Sequence, residues 1–337
     1  MSSSRLTLAL AGAALLPAAG SVLVSGARAA DDLSALPPDR AVIVQGFRPE
    51  HDALAARGLR VVPDFDAVQG GAVAGVVVLP RARGAARHAV VSVLRRVVPG
   101  GPIWIDGQKT DGIDTMLRDI RARVAVSQPL AKAHGKIFRF DRPADDGFSD
   151  WLAPDLHPAP GFVTRPGVFS ADAIDRGSAL LAEALPPRLG RRVADFGAGW
   201  GWLAAQILTR PEIEALDLIE ADHAALSCAR RNVTDPRARF HWADVATHKP
   251  AAPYDAIVTN PPFHTGRAAE PALGLAFIAA AAARLTPGGA LWLVANRHLP
   301  YEAALSQRFR EVAEVGGDHG FKVLRAARLF AAPRAGR

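Results

Sequence analysis

The chain has 337 residues, 49% of them hydrophobic and 22% charged, with a formal net charge of +7. Such a chain is long enough for two globular domains and too apolar for a disordered or fibrous protein. No stretch is long and apolar enough for a membrane helix, the single Cys228 permits no intrachain disulfide, and the cationic excess favours a phosphate-rich partner.

Residues 1–30 carry a cation at Arg5, an apolar run over 6–19 and Ala27-Arg28-Ala29-Ala30, which satisfies the pattern of a secretory signal with an A-x-A cleavage site. Pro17 and Gly20 equally suit a strand and turn opening a first domain. Residues 36–142 alternate apolar strands with helical runs: a candidate first strand at 41–46, a strand at 75–80, a helix at 85–98 and a strand at 103–106. Residues 146–166 are proline-rich and read as a linker between domains at 1–145 and 167–337, although Trp151 and Phe162 favour a packed segment. The second domain opens with a helix at 173–185, stopped by Pro186-Pro187, and supplies strands near 192, 216, 239, 254, 290 and 321. This alternation predicts an α/β fold with mostly parallel, doubly wound sheets and ligands at the carboxyl ends of the strands.

Two segments of the second domain carry chemistry. The strand at 192–196 runs into Asp195-Phe196-Gly197-Ala198-Gly199-Trp200-Gly201 and then a helix at 203–208, a loop whose glycines let the backbone approach a ligand closely. A pyrophosphate would be repelled by Asp195, whereas the sulfonium and ammonium of S-adenosylmethionine would be attracted, so the loop favours that cofactor over NAD. Glu220 ends the next strand, where an acid accepts ribose hydroxyls. Asp244, after the strand at 238–242, is placed to reach an adenine amino group or to cap a turn. Trp200 is a bulky residue where a small one is expected.

The strand at 254–259 ends in Asn260-Pro261-Pro262-Phe263. An exocyclic amine or amide nitrogen is a poor nucleophile because its lone pair is delocalised. The side-chain oxygen of Asn260 and the backbone oxygen of Pro261 can accept its two N–H bonds and so localise that pair. Pro261 and Pro262 hold those acceptors rigidly without competing N–H donors, and Phe263 can stack on a flat substrate. His241, His248 and His264 show no second ligand at metal-binding spacing, and Cys228 reads as a packing residue on a helical run.

The chain is internally duplicated. Pro99-Gly100-Gly101-Pro102-Ile103-Trp104-Ile105 parallels Pro287-Gly288-Gly289-Ala290-Leu291-Trp292-Leu293, and His134-Gly135-Lys136-Ile137-Phe138 parallels His319-Gly320-Phe321-Lys322-Val323 at a nearly equal interval. Two similar α/β domains follow. Where the second has Thr259-Asn260-Pro261-Pro262 the first has Val78-Leu79-Pro80-Arg81, with no side-chain amide, and its candidate first strand lacks the acid and the later glycines. The first domain therefore reads as a degenerate copy binding neither cofactor nor amine. Arg81, Arg83, Arg87, Arg95 and Arg96, in a stretch without acids, and Lys322, Arg325, Arg328, Arg334 and Arg337 in the tail are candidate phosphate contacts.

Strand, glycine loop, Asp195, Glu220 and Asn-Pro-Pro-Phe in this order resemble a class I S-adenosylmethionine-dependent methyltransferase. Gly167-Val168-Phe169-Ser170, Asp175-Arg176-Gly177-Ser178, Ala295-Asn296-Arg297-His298-Leu299-Pro300-Tyr301 and Phe321-Lys322-Val323-Leu324-Arg325-Ala326 further resemble the bacterial ribosomal RNA guanine-N2 methyltransferases of the small-subunit methyltransferase C type and their large-subunit relatives. The resemblance implies two tandem Rossmann-like methyltransferase domains, the N-terminal one degenerate, and a cytoplasmic enzyme acting on ribosomal RNA or a ribosomal subunit. Asn260, Pro261, Pro262 and Phe263 would form the amine pocket. Asp195, Gly197, Gly199, Gly201, Glu220, Asp244 and Asn260 would hold S-adenosylmethionine, and no metal is implied. Asn-Pro-Pro-aromatic also serves adenine in nucleic acid and glutamine in protein. A non-catalytic RNA-binding factor on the same fold and an exported binding protein are the remaining alternatives.

Overall fold

The computed structural model describes residues 4–11, 16–145, 147–152, 154–262 and 271–330. Contacts divide the chain into two compact units, one of Met1–Asp155 with Arg165–Gly167, the other of Leu156–Thr164 with Val168–Arg337.

The first unit contains strands β1 (Val22–Ser25), β2 (Ala41–Val44), β3 (Arg60–Val62), β4 (Ala74–Val78), β5 (Pro102–Gln108), β6 (Leu130–Lys132) and β7 (Gly135–Asp141). They form one sheet in the order β3-β2-β1-β4-β5-β7-β6. The first five pair in parallel, and β7 runs antiparallel to both β5 and β6. Helix Ile113–Arg121 shows why such segments pack on a sheet: Ile113, Met116, Leu117 and Ile120 recur at helical spacing and all are buried.

The second unit contains β8 (Arg192–Phe196), β9 (Ala215–Glu220), β10 (Ala238–Trp242), β11 (Tyr254–Thr259), β12 (Leu285–Asn296), β13 (Phe309–Gly317) and β14 (Phe321–Leu329). Its order, β10-β9-β8-β11-β12-β14-β13, repeats the first sheet strand for strand. Both faces are buried. Val193, Leu218, Val258, Trp292 and Val294 point into one apolar cluster, and Ala194, Ile219, Ile257, Leu291, Leu293 and Ala295 into the other. A sheet covered on both faces needs such near-continuous apolar runs.

Several sequence expectations change. The first strand of the first unit is β1, not the segment at 41–46. Val22–Ser25 is buried throughout and pairs with both β2 and β4, so it is an interior strand, and the 41–46 segment supplies β2. Gly20, at φ +90°, turns the chain into β1 as a turn-opening glycine should. The signal-like segment 1–30 thus contains helix Arg5–Leu10, whose Leu6 is buried, and the interior strand β1. The helix expected from residue 173 begins at Arg176, because Asp175 caps it. The edge strand β13 has no clear signal in the sequence, since its alternation is blurred by exposed Ala313, Glu314 and Val315. Trp151 is buried and Phe162 half-buried, so the proline-rich segment packs as expected. Among the described residues no helix is long and apolar enough to cross a membrane.

Candidate active site

The glycine loop leaves the carboxyl end of β8 with Gly197, Gly199 and Gly201 all at positive φ, +74°, +55° and +88°. Gly201 also needs the absence of a side chain. A Cβ there would lie 2.9 Å from Val233 Cγ2 and 3.2 Å from Ala229, which is the close helix approach a glycine permits. Trp200 is among the residues lining the pocket beside the loop, and its indole is anchored in the fold. It is 5% exposed, packs edge-on against Phe162 with ring centroids 5.5 Å apart, and donates its indole N–H to the Phe169 carbonyl at 3.2 Å. Cys228 is buried in the same cluster, as a packing residue. Asn232 completes this support. Its amide pairs with both the N–H and the C=O of Val163 at 2.8 Å and donates to the Trp200 carbonyl at 2.8 Å.

Asp195, on β8, is fully buried, and neither carboxylate oxygen has a hydrogen-bond partner. Burial, and secondarily the charge of Glu220, push its pKa up to about 8. An acid left in this state is stabilised by a cation. Glu220 ends β9. Its oxygens accept from the Gly199 N–H at 2.8 Å and the Asp222 N–H at 2.8 Å, yet burial still raises it to about 7. A carboxylate has about four acceptor directions, so two backbone donors leave room for hydroxyl donors. Asp244 caps its own turn, accepting from the Ala246 N–H at 2.8 Å.

Asn260 follows β11 directly. Thr259, fully buried, donates its hydroxyl to the Phe196 carbonyl at 2.8 Å and so locks the end of β11 to the end of β8. The Asn260 amide nitrogen donates to Asp175 Oδ2 at 2.7 Å and to Ser178 Oγ at 2.9 Å, while its oxygen is buried without a partner. Asn260, Asp175, Ser178, Gly197, Gly199 and Phe169 line one pocket. Pro261 is buried and Pro262 exposed at its edge, and Phe263 and His264 lie outside the described residues. The fold therefore brings Asp195, the glycine loop, Glu220 and Asn260 to one end of one sheet. Asp175 and Ser178 join them; the sequence marks Asp175-Arg176-Gly177-Ser178 through its family resemblance and its helix-cap spacing, but assigns neither residue a place in the site.

A larger cleft of about 700 Å³ lies elsewhere in this unit, lined largely by alanines and prolines of residues 246–253 and 276–283. It contains none of the orphaned polar atoms that mark the Asn260 pocket. His241 lies 3.2 Å from Asp217 and 5.0 Å, ring to ring, from His248, a grouping the sequence spacing does not show. No group of three or more ligands able to hold a metal occurs among the described residues.

At the matching end of the first sheet the chemistry differs. Arg5 donates to Asp106 at 2.6 Å and to the Lys132 carbonyl at 2.9 Å, so an internal ion pair lines the pocket beside Val78 and Gln108. The arginine-rich stretch is also largely neutralised. Arg83 and Arg87 both reach Asp119, at 3.0 and 2.7 Å, Arg81 lies 3.5 Å from Asp111 and Arg96 3.6 Å from Asp66. Of the tail cations, Lys322 is buried against Glu302, Arg325 and Arg328 pair with Glu311, and Arg334 and Arg337 lie outside the described residues. A stretch without acids in sequence is thus not a bare cationic face, because the fold returns carboxylates to it.

A doubly wound sheet with a glycine loop, an orphaned acid beneath it, a second acid on the next strand and Asn-Pro-Pro on the fourth defines a class I S-adenosylmethionine-dependent methyltransferase. Residues 160–325 match the methyltransferase small domain family. The ribosomal RNA small subunit methyltransferase C of Chromohalobacter salexigens is 31% identical over 285 residues, 82% of this chain and 85% of that protein. The ribosomal RNA large subunit methyltransferase G of Streptomyces avermitilis is 37% identical over 167 residues, but over 48% of this chain and 44% of that one. The T. thermophilus 16S rRNA N2-guanine methyltransferase, solved with AdoMet and guanosine, superposes with a TM-score of 0.78 at 26% identity, covering 93% of this chain and 89% of that one. The chain belongs to the ribosomal RNA small subunit methyltransferase C family.

Proposed function

We propose that this chain transfers a methyl group from S-adenosylmethionine to the exocyclic 2-amino group of a guanine in small-subunit ribosomal RNA. The observation that carries the reading is the buried, unpartnered oxygen of Asn260, a residue that lines the pocket beside the glycine loop. The small-subunit assignment is supported by the small-subunit relative matching along nearly its whole length, where the large-subunit relative matches over less than half.

The residues fit the cofactor. Asp195 has two unsatisfied buried oxygens for a cationic ligand, Gly197, Gly199 and Gly201 allow close backbone approach, Glu220 retains acceptor capacity for ribose hydroxyls, and Asp244 stands after β10 for the adenine end. When bound, S-adenosylmethionine supplies an electrophilic methyl group on a positively charged sulfur. The Asn260 oxygen and the Pro261 carbonyl accept the two N–H bonds of the guanine amine, which pulls nitrogen toward tetrahedral geometry and directs its lone pair outward. Pro262 keeps that corner rigid, and Phe263 is assigned the stacking face. The surplus proton passes to water after transfer. The first unit, with its ion pair in the matching position, is assigned RNA positioning or support and no cofactor. A cytoplasmic location follows from the substrate.

The test is transfer of labelled methyl from S-adenosylmethionine to small subunits, large subunits, naked ribosomal RNA, DNA and a protein mixture, with product nucleosides resolved chromatographically. N2-methylguanosine from the small-subunit fraction is the expected product. Label in adenine, or in protein glutamine, moves the enzyme to another amino acceptor.

A further inference from the structure

The structure assigns Asp175 a positioning role: it fixes the orientation of the Asn260 amide so that only an acceptor faces the substrate. The inference rests on the amine-methylation reading above and names residues outside the Asn-Pro-Pro motif. An asparagine amide can present oxygen or nitrogen with little difference in shape. A pocket that must accept an amine N–H is blocked if the NH₂ group turns toward it, because two donors then face each other. Something must decide the matter, and a carboxylate, which when ionised only accepts, decides it completely.

Asp175 Oδ2 receives the Asn260 amide nitrogen at 2.7 Å and the backbone N–H of Ser178 at 2.8 Å. Ser178 Oγ receives the second amide hydrogen at 2.9 Å. Both hydrogens of the NH₂ group are therefore taken by Asp175 and Ser178, and the Asn260 oxygen is the one polar atom of that amide left buried and unpartnered. Gly177 keeps the space open. A Cβ there would stand 3.1 Å from Asp175 Oδ2 and 3.3 Å from Phe321 Cε1, tight enough to displace the carboxylate. The helix start is held from outside by Arg176, which donates to Asp318 at 2.6 Å in the β13–β14 turn. The four residues Asp175-Arg176-Gly177-Ser178 thus have one explanation each: orient, anchor, make room, orient.

The experiment compares Asp175→Ser, Ser178→Ala and Asp175→Asn with the wild type. Serine caps a helix about as well as aspartate but is too short to reach Asn260. Asp175→Ser should keep its melting temperature and its affinity for S-adenosylmethionine, lose kcat by about 10²-fold and change KM for RNA little, as misplacement of a reacting contact does. Ser178→Ala should lose roughly tenfold, and Asp175→Asn, which still offers one oxygen, should recover most of the rate. A second reading is the solvent exchange of the Asn260 side-chain NH₂ protons by NMR, slow in the wild type and fast in Asp175→Ser. Wild-type kcat in Asp175→Ser, or a loss that follows cofactor affinity instead of kcat, overturns the proposal. If the wild type does not methylate ribosomal RNA, the substrate reading falls, and the NH₂ exchange rates alone decide the orienting role: unchanged protection in Asp175→Ser rejects it.

Discussion

Gly199 donates its backbone N–H to the Glu220 carboxylate at 2.8 Å, which makes the glycine loop after β8 and the end of β9 a single piece. Beside it Asp195 is buried with no donor at all. The site therefore holds two acids close together, one tied to two backbone N–H groups and one with no donor.

The pH dependence of the ligand-free protein follows. Both acids are raised above their unfolded values, Asp195 to about 8 and Glu220 to about 7, chiefly by burial. The folded state then binds more protons than the unfolded state between about pH 4, the ordinary carboxylate range, and about pH 8. Stability from these groups is full below that window and lost as pH rises through it. The melting temperature without cofactor should fall from pH 5 to pH 8, and S-adenosylmethionine, which favours the ionised acid, should reduce that fall and release protons on binding. Calorimetry in buffers of different ionisation enthalpy measures the release. Asp195→Asn should flatten the slope; an unchanged slope would refute the assignment.

Asn260→Ala removes the buried acceptor and nothing from the glycine loop. Methyl transfer should drop by about 10³-fold, the scale for losing one preorganised partner of a developing charge. Cofactor titration should still show binding. Activity near wild type would mean that the amine is held elsewhere.

The three loop glycines are not equivalent. Gly199 has φ +55° and open space where a Cβ would stand, so Gly199→Ala should cost about 1 kcal/mol of stability. Gly201 has φ +88° and a Cβ would meet Val233 at 2.9 Å, so Gly201→Ala should cost about 3 kcal/mol. Chemical denaturation separates the two, and equal losses would contradict the geometry.

A chain starting after Ala30 would lack β1, a fully buried interior strand of the first sheet. Such a truncation should fail to give a folded first unit, seen as loss of its cooperative transition and of near-ultraviolet dichroism. A folded truncated protein would restore the export reading of residues 1–30.

Much is legible in the order of residues alone. The glycine loop, the acids at 195 and 220, the Asn-Pro-Pro corner and the doubling of the fold are local signals, carried by turn chemistry, strand-length apolar runs and repeated short patterns. The duplication is the clearest instance, since matched tripeptides and intervals anticipate two sheets with the same strand order. These features depend on neighbours in the chain, and a sequence displays its neighbours.

Tertiary structure alone decided what depends on strand order. A short run such as Val22–Ser25 does not announce that it will sit between β2 and β4, and its apolar surroundings resemble a signal segment. Arg83 and Arg87 look like free cations until the fold places Asp119 between them. Trp200 looks misplaced in a glycine loop until Phe162 and the Phe169 carbonyl hold its indole. Above all, Asp175 and Asn260 are distant in the chain, and only the packing of the helix that Asp175 caps against β12, β13 and β14, with β11 paired to β12, brings the carboxylate to the amide. Residue type fixes which hydrogen bonds a side chain can make, and topology fixes which of them it meets.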